Sequence, residues 1–112
     1  MSLDNPKLVD FCGINPEEGC CVLGIGDDRE WNDWEHLLVL QEKLNNYLAF
    51  IESGEIYTIR PTAKGLAIEI SIQCRFEPES EDDFSFLRLA RNAIEGAGFR
   101  FSVMTDTGKF EI

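Results

Sequence analysis

Residues 33–54 read DWEHLLVLQEKLNNYLAFIESG, and this stretch decides the fold. Positions three, four and seven apart share one face of an α-helix. Leu37, Leu40, Leu44, Tyr47, Leu48 and Ile51 fall on such a face, with Glu35, Glu42 and Asn46 opposite. The spacing predicts an amphipathic helix. Asn32, followed three residues later by Glu35, predicts a capping box at its start. Asp33 and Glu35 suit the positive field of a helix N-terminus, and Gly54 offers a left-handed stop. Each buried side chain of the stripe brings ~1.5–3 kcal/mol. Ordering the chain offsets most of that gain, so the helix needs a sheet to lie on. Val39 and Phe50 sit off the stripe, on one flank. Either another element covers them or they belong to a partner surface.

The bulk numbers bound the function. At 112 residues, of which 44% are hydrophobic, the chain reads as a single domain, residues 1–112, with one core. Ten Lys and Arg stand against 21 Asp and Glu, a net charge of −11. Nucleic-acid binding rests on neutralising phosphates with cations, so nucleic acid is excluded as a direct ligand. An anionic membrane surface is disfavoured for the same reason. No apolar run approaches the ~20 residues that a membrane span needs. The first ten residues, MSLDNPKLVD, lack the pattern of a signal peptide, and a cytoplasmic setting is expected. A basic protein partner fits the field.

Outward from the helix, the chain alternates between strand and turn signals. Leu8–Ile14 and Cys20–Gly26 read as a hairpin around Asn15-Pro16-Glu17-Glu18-Gly19. With Ile14 opposite Gly19, Cys12 faces Cys21, Asp10 faces Leu23 and Leu8 faces Ile25. That face is assigned to the helix side. Val9, Phe11, Cys20 and Val22 form the other, which a partner can bury. Trp31 and Trp34 bracket the cap and are expected to pack at the start of the helix. Ile56–Arg60 reads as a short strand and Leu66–Phe76 as a long one, the two forming a second hairpin. Ser80 with Asp83 predicts a capping box for a second helix, whose stripe is Phe86, Leu87, Ala90, Ala93, Ile94 and Ala97. Phe99–Thr105 alternates as a strand, and Lys109–Ile112 is a tail or a short edge strand. The order ββα-ββα-β predicts an α+β two-layer sandwich. Its antiparallel or mixed sheet has about five strands, with two helices on one face.

No catalytic motif is present. The cysteines, Cys12, Cys20, Cys21 and Cys74, contain no CxxC pair, so neither a closed zinc site nor another metal or cofactor site is expected. His36, the one histidine, falls in the first turn of the helix, where it reads as a surface or boundary residue. Gly24-Ile25-Gly26 runs into two aspartates, the wrong charge for a phosphate loop. Asp10 is the carboxylate to watch, because the hairpin register sets it among apolar neighbours.

Three stretches carry a resemblance. NPKLVDFCGI, EHLLVLQEKLNNYLAFIESGEIY and PTAKG with LAIEISI together resemble a family of small, uncharacterised bacterial proteins known only as a domain of unknown function. The most specific segment is Leu37–Gly54, with the pattern LQxKLNxYLxFIxSG. The resemblance implies a bacterial cytoplasmic protein and carries no activity, cofactor or catalytic residue. Gln41 and Asn45 border the stripe, where they are expected to hydrogen-bond to the hairpin.

The expectation is a non-enzymatic interaction module that binds a basic protein partner, as an inhibitor or immunity-like protein does, or forms a homodimer. Its surface is Phe11, Val22, Val39 and Phe50. The alternative is a small-ligand-binding domain or small enzyme with a site between sheet and helices, built from Asp10, Cys21, His36 and Gln41.

Overall fold

The computed structural model describes residue 3, residue 5, residues 8–31 and residues 33–112. The long amphipathic stretch forms α1, Trp34–Glu52. The capping residue is Asp33, whose side chain accepts the Glu35 N–H at 2.9 Å. This corrects the expected cap at Asn32, a residue that lies outside the described ones. Ser53 closes the helix, and Gly54 then takes φ +83°, the left-handed conformation expected of it. Leu37, Leu40, Leu44, Tyr47 and Ile51 are buried, and Leu48 is half-buried.

The hairpin strands are β1, Phe11–Asn15, and β2, Cys20–Asp27. Asn15 pairs with Cys20, Ile14 with Cys21 and Cys12 with Leu23. The expected register is therefore displaced by two residues. A displacement of two leaves the paired residues of β1 and β2 on their expected faces, because strand side chains alternate with period two, whereas ahead of the ladder Leu8 is exposed and Val9 packs against the core, the reverse of expectation. Cys12, Ile14, Cys21, Leu23 and Ile25 do join the core beneath the helices. Residues 8–10 precede β1 and are not part of it. Asn15 organises the turn, its side-chain oxygen accepting from the N–H groups of Glu17 and Glu18.

The segment after Gly54 departs from expectation. Ile56–Arg60 is not a strand. Glu55–Ile59 forms a short helix, α2, followed by a 3-10 turn at Pro61–Ala63. Its β-rich composition is overridden by the topology. The next strand, β3 (Ala67–Cys74), is central and parallel to its neighbours on both sides. It has no free edge for a hairpin partner. Ile56 turns fully into the core as part of α2 instead.

Ser80 and Asp83 form the expected capping box at the start of α3, Glu81–Gly96. The chain ends in β4, Arg100–Thr105, and a two-residue edge strand β5, Gly108–Lys109, across a tight turn. The sheet order is β1-β2-β3-β4-β5, antiparallel at both edges and parallel in the middle. Parallel neighbours require crossover connections. Here α1 with α2 links β2 to β3, and α3 links β3 to β4. Leu87 and Ile94 of α3 join the same core as the α1 stripe, over Ile68, Ile70, Ile72, Phe101 and Val103. The protein is thus α+β, with a mixed five-stranded sheet and three α-helices among the described residues.

Candidate functional site

Phe11 begins β1 and, by alternation along the strand, projects from the face opposite the helices. It is 58% exposed. Its ring lies across two glycines. A Cβ added at Gly13 would stand 2.7 Å from Phe11 Cζ, and one at Gly24 would stand 3.3 Å from Phe11 Cβ. A floor without side chains lets the ring lie against backbone. Asp10, Phe11, Val22, Gly24, Gly26 and Gln73 line a shallow, mostly apolar depression beside it. The two residues expected on the second hairpin face, Phe11 and Val22, therefore meet at one uncovered place. The other expected pair does not join them. Val39 and Phe50 are half-buried against the core. Phe50 lines a separate cleft with Leu8, Val9, Cys12 and Ile59.

Behind the depression lies a polar cluster that the sequence pattern discloses only in part. Lys43 is wholly buried, and its ammonium donates to Asp10 Oδ1 at 2.9 Å and to the Asn5 carbonyl at 3.2 Å. Asp10 Oδ2 accepts the Gly26 N–H at 2.9 Å. The ladder of β1 ends at Gly24, so this carboxylate takes the place of a strand at Gly26. The Asp10 N–H donates to the Tyr47 hydroxyl at 2.8 Å, and that hydroxyl donates to the Gly24 carbonyl at 2.6 Å. Burial pushes the Tyr47 phenol up, so it keeps the proton it donates. Asp10, expected opposite Leu23, instead joins the N-terminal segment to both α1 and β2. Lys43 and Tyr47 were legible in principle. His36, Leu40, Lys43 and Tyr47 follow helical spacing on one face, so three polar groups along an apolar stripe signal buried partners.

His36 is not a surface residue. It is 1% exposed, and its Nε2 lies 2.7 Å from Asp27 Oδ2. Facing a carboxylate, Nε2 carries the hydrogen and donates. Asp27 Oδ1 accepts the Arg29 N–H. Among the described residues, His36 Nδ1 has no hydrogen-bond partner. Trp31 packs on the imidazole, ring centroids 4.4 Å apart, and donates its indole N–H to the Phe76 carbonyl. The two tryptophans do not form the expected packed pair, since Trp31 is buried while Trp34 is 68% exposed. A His–Asp pair has the composition of an acid–base dyad. Both side chains of this one are buried, and Trp31 stands between the imidazole and the cleft that it lines with Asp33, Trp34 and Leu37.

The remaining candidates lie apart. Cys21 is buried, and its sulfur is 3.8 Å from that of Cys12. Burial and the neighbouring Cys12 push the Cys21 thiol up to about 12. Gln41 is exposed on α1, at the rim of a groove formed with α3 by Leu44, Leu48, Phe86, Leu89 and Ile94. Asp10, Cys21, His36 and Gln41 thus occupy four separate surroundings and converge on no common cavity. Among the described residues, Glu18, Cys20 and Glu69 bring three potential metal-ligating atoms within 4.8 Å of one another. Protein groups already engage them. Ser102 donates to Glu69 at 2.7 Å, and Arg100 stands 3.9 Å from Glu18. Burial, with the Glu69 carboxylate beside it, pushes the Cys20 thiol up.

Among the described residues, no helix is long and apolar enough to cross a membrane. Comparison with known proteins finds no match among curated proteins and none among solved structures. One family model, described as a family of unknown function, matches residues 1–107. The resemblance carried by the helix and strand segments is thereby placed, and the chain belongs to the family of unknown function DUF6572.

Proposed function

We propose that this protein is a non-enzymatic binding module that takes a basic protein partner on the uncovered face of its sheet, around Phe11. One observation carries the reading. A large aromatic side chain, 58% exposed, is presented on a glycine floor beside Val22, on the sheet face opposite the helices. An exposed aromatic at the edge of an apolar depression is the kind of anchor that dominates protein interfaces. The charge of −11 favours a cationic partner and speeds its arrival. It also opposes pairing of two identical copies, so a second protein is favoured over a homodimer. An enzymatic or small-ligand reading draws less support. The His36–Asp27 pair is closed to solvent, and the groups expected to build a pocket lie apart. Free thiols at all four cysteines suit a reducing, bacterial cytoplasmic setting.

The test combines light scattering with capture from the native host. The expected result is a monomer that retains a basic protein at low salt and loses it as salt screens the field. Phe11→Asp should abolish capture at unchanged thermal stability. A dimer in solution, or capture undiminished in Phe11→Asp, overturns the reading.

A further inference from the structure

The hairpin holds two thiols that neither the open face nor the buried ion pairs use. Cys12 on β1 and Cys21 on β2 both face the helices. They are not directly opposite, because Cys12 pairs with Leu23 and Cys21 with Ile14. They are diagonal neighbours, and their sulfurs are nonetheless 3.8 Å apart, in contact but not bonded. Diagonal positions on an antiparallel pair stand ~7–8 Å apart. A relaxed disulfide spans ~4.4–6.8 Å between Cα atoms, with sulfurs ~2.05 Å apart. Joining these two requires the strands to shift. β1 can supply that movement, being five residues long and at the edge of the sheet.

We propose that Cys12 and Cys21 form a reversible oxidation site, at which hydrogen peroxide converts the dithiol into a strained intramolecular disulfide. Access sets the order of events. Cys12 is half-exposed and lines the open cleft with Leu8, Val9, Phe50 and Ile59. Cys21 is fully buried. The Cys12 sulfur attacks one peroxide oxygen and the O–O bond breaks. The departing hydroxide takes the Cys12 thiol proton and leaves as water, giving a sulfenic acid at Cys12. The Cys21 sulfur then attacks the Cys12 sulfur and the S–O bond breaks. The hydroxide released there takes the Cys21 proton as a second water. Two electrons pass from the thiol pair to the peroxide, which is reduced to two waters. The high thiol pKa of Cys21 slows the second step, and the standing contact at 3.8 Å compensates by holding the partner in place. Arg60 assists. Its guanidinium donates to the Cys12 carbonyl at 2.6 Å, and its charge favours the Cys21 thiolate. Because the bond is made under strain, reduced glutathione reopens it.

The test is hydrogen peroxide treatment of the full, folded chain, followed by intact mass measurement and peptide mapping. The expected result is loss of two hydrogen atoms, a Cys12–Cys21 linkage and full reversal by glutathione, with Cys20 and Cys74 unmodified. In Cys21→Ser, dimedone should trap the sulfenic acid on Cys12. In Cys12→Ser, Cys21 should remain a thiol. Circular dichroism confirms that each variant is folded, and the mapping of the unaltered chain needs no variant at all. Over-oxidation of Cys12 without linkage, a bridge through Cys20, intermolecular dimers, or linkage only after unfolding would each overturn the proposal.

Discussion

Lys43 reaches the Asp10 carboxylate at 2.9 Å from a position with no solvent exposure, so one cation of an acidic protein is spent inside it. Removing one partner of a buried pair leaves the other charge uncompensated, which costs ~3–5 kcal/mol. Asp10 keeps its bond from the Gly26 N–H and is 12% exposed at its side chain, which places Lys43→Met near the lower end, about 3 kcal/mol. Urea denaturation measures it. The double variant Asp10→Asn with Lys43→Met should recover part of the loss. A single variant within about 1 kcal/mol of the parent shows that the pair is dispensable.

His36 and Asp27 make a second buried pair, with a different expected pattern. Asp27 serves both the imidazole and the Arg29 N–H, so Asp27→Leu strands two donors at once. His36→Leu strands only the carboxylate, which keeps Arg29. Removing both side chains eliminates most of the unmatched polarity, and His36 Nδ1 has no partner to lose among the described residues. We expect Asp27→Leu to cost about 3 kcal/mol, and the double variant less than the two single losses added. Additive losses in a double-mutant cycle show that the two side chains do not interact.

Four buried acids give the protein an alkaline limit. Burial raises the Cys21 thiol from 9.0 to about 12, and raises the Cys20 and Cys74 thiols and the Tyr47 phenol as well. The unfolded chain loses these protons first, so above pH 9 it binds fewer protons than the folded chain. Stability is fully present below pH 9 and falls as pH rises from there toward 12, by ~1.4 kcal/mol per pH unit for each of the Cys21 and Cys74 thiols. Melting temperatures measured between pH 8 and pH 11 should decline, and Cys21→Val should make the decline shallower. A flat profile through pH 11 contradicts the burial of these groups.

The glycine floor beneath Phe11 makes a local prediction. Gly13→Ala puts a methyl group 2.7 Å from the present position of Phe11 Cζ, so the ring must leave. The ring tip is exposed and free to swing, so the loss of stability stays under about 1 kcal/mol. Ring proton shifts of Phe11 in Gly13→Ala, set against the parent, report the movement. Unchanged shifts mean that the ring does not rest there. The same variant should weaken capture of a basic partner, because the anchor is displaced without being removed.

Much of the fold was legible because it follows from period. The stripe of α1, the capping box of Ser80 and Asp83, and the alternation of Ile68, Ile70 and Ile72 each declare a buried face. Within the ladder, even the misjudged hairpin register kept its faces, because it moved by two. Ile56–Arg60 failed for a reason that no local reading contains. Five residues fit a strand or a single helical turn equally well, and β3 had no free edge to offer. The candidate site was legible in a different measure. Phe11 and Val22 were identified together. The partners of Asp10 and His36 were not, since Lys43 and Asp27 lie 33 and 9 residues away.

By itself, then, the amino-acid sequence determined which faces are apolar, where the long helices begin and end, and that the chain is strongly acidic. Those properties depend on side-chain chemistry at spacings of two to four residues. Tertiary structure alone decided that β3 runs parallel between β2 and β4, that Lys43 and His36 are drawn inside against carboxylates, and that Phe11 stays outside on a bed of glycine. Each of these depends on which distant segments share a neighbourhood. A buried charge is tolerated only where the fold delivers its counter-charge, and a sheet face remains open only where no helix returns to cover it.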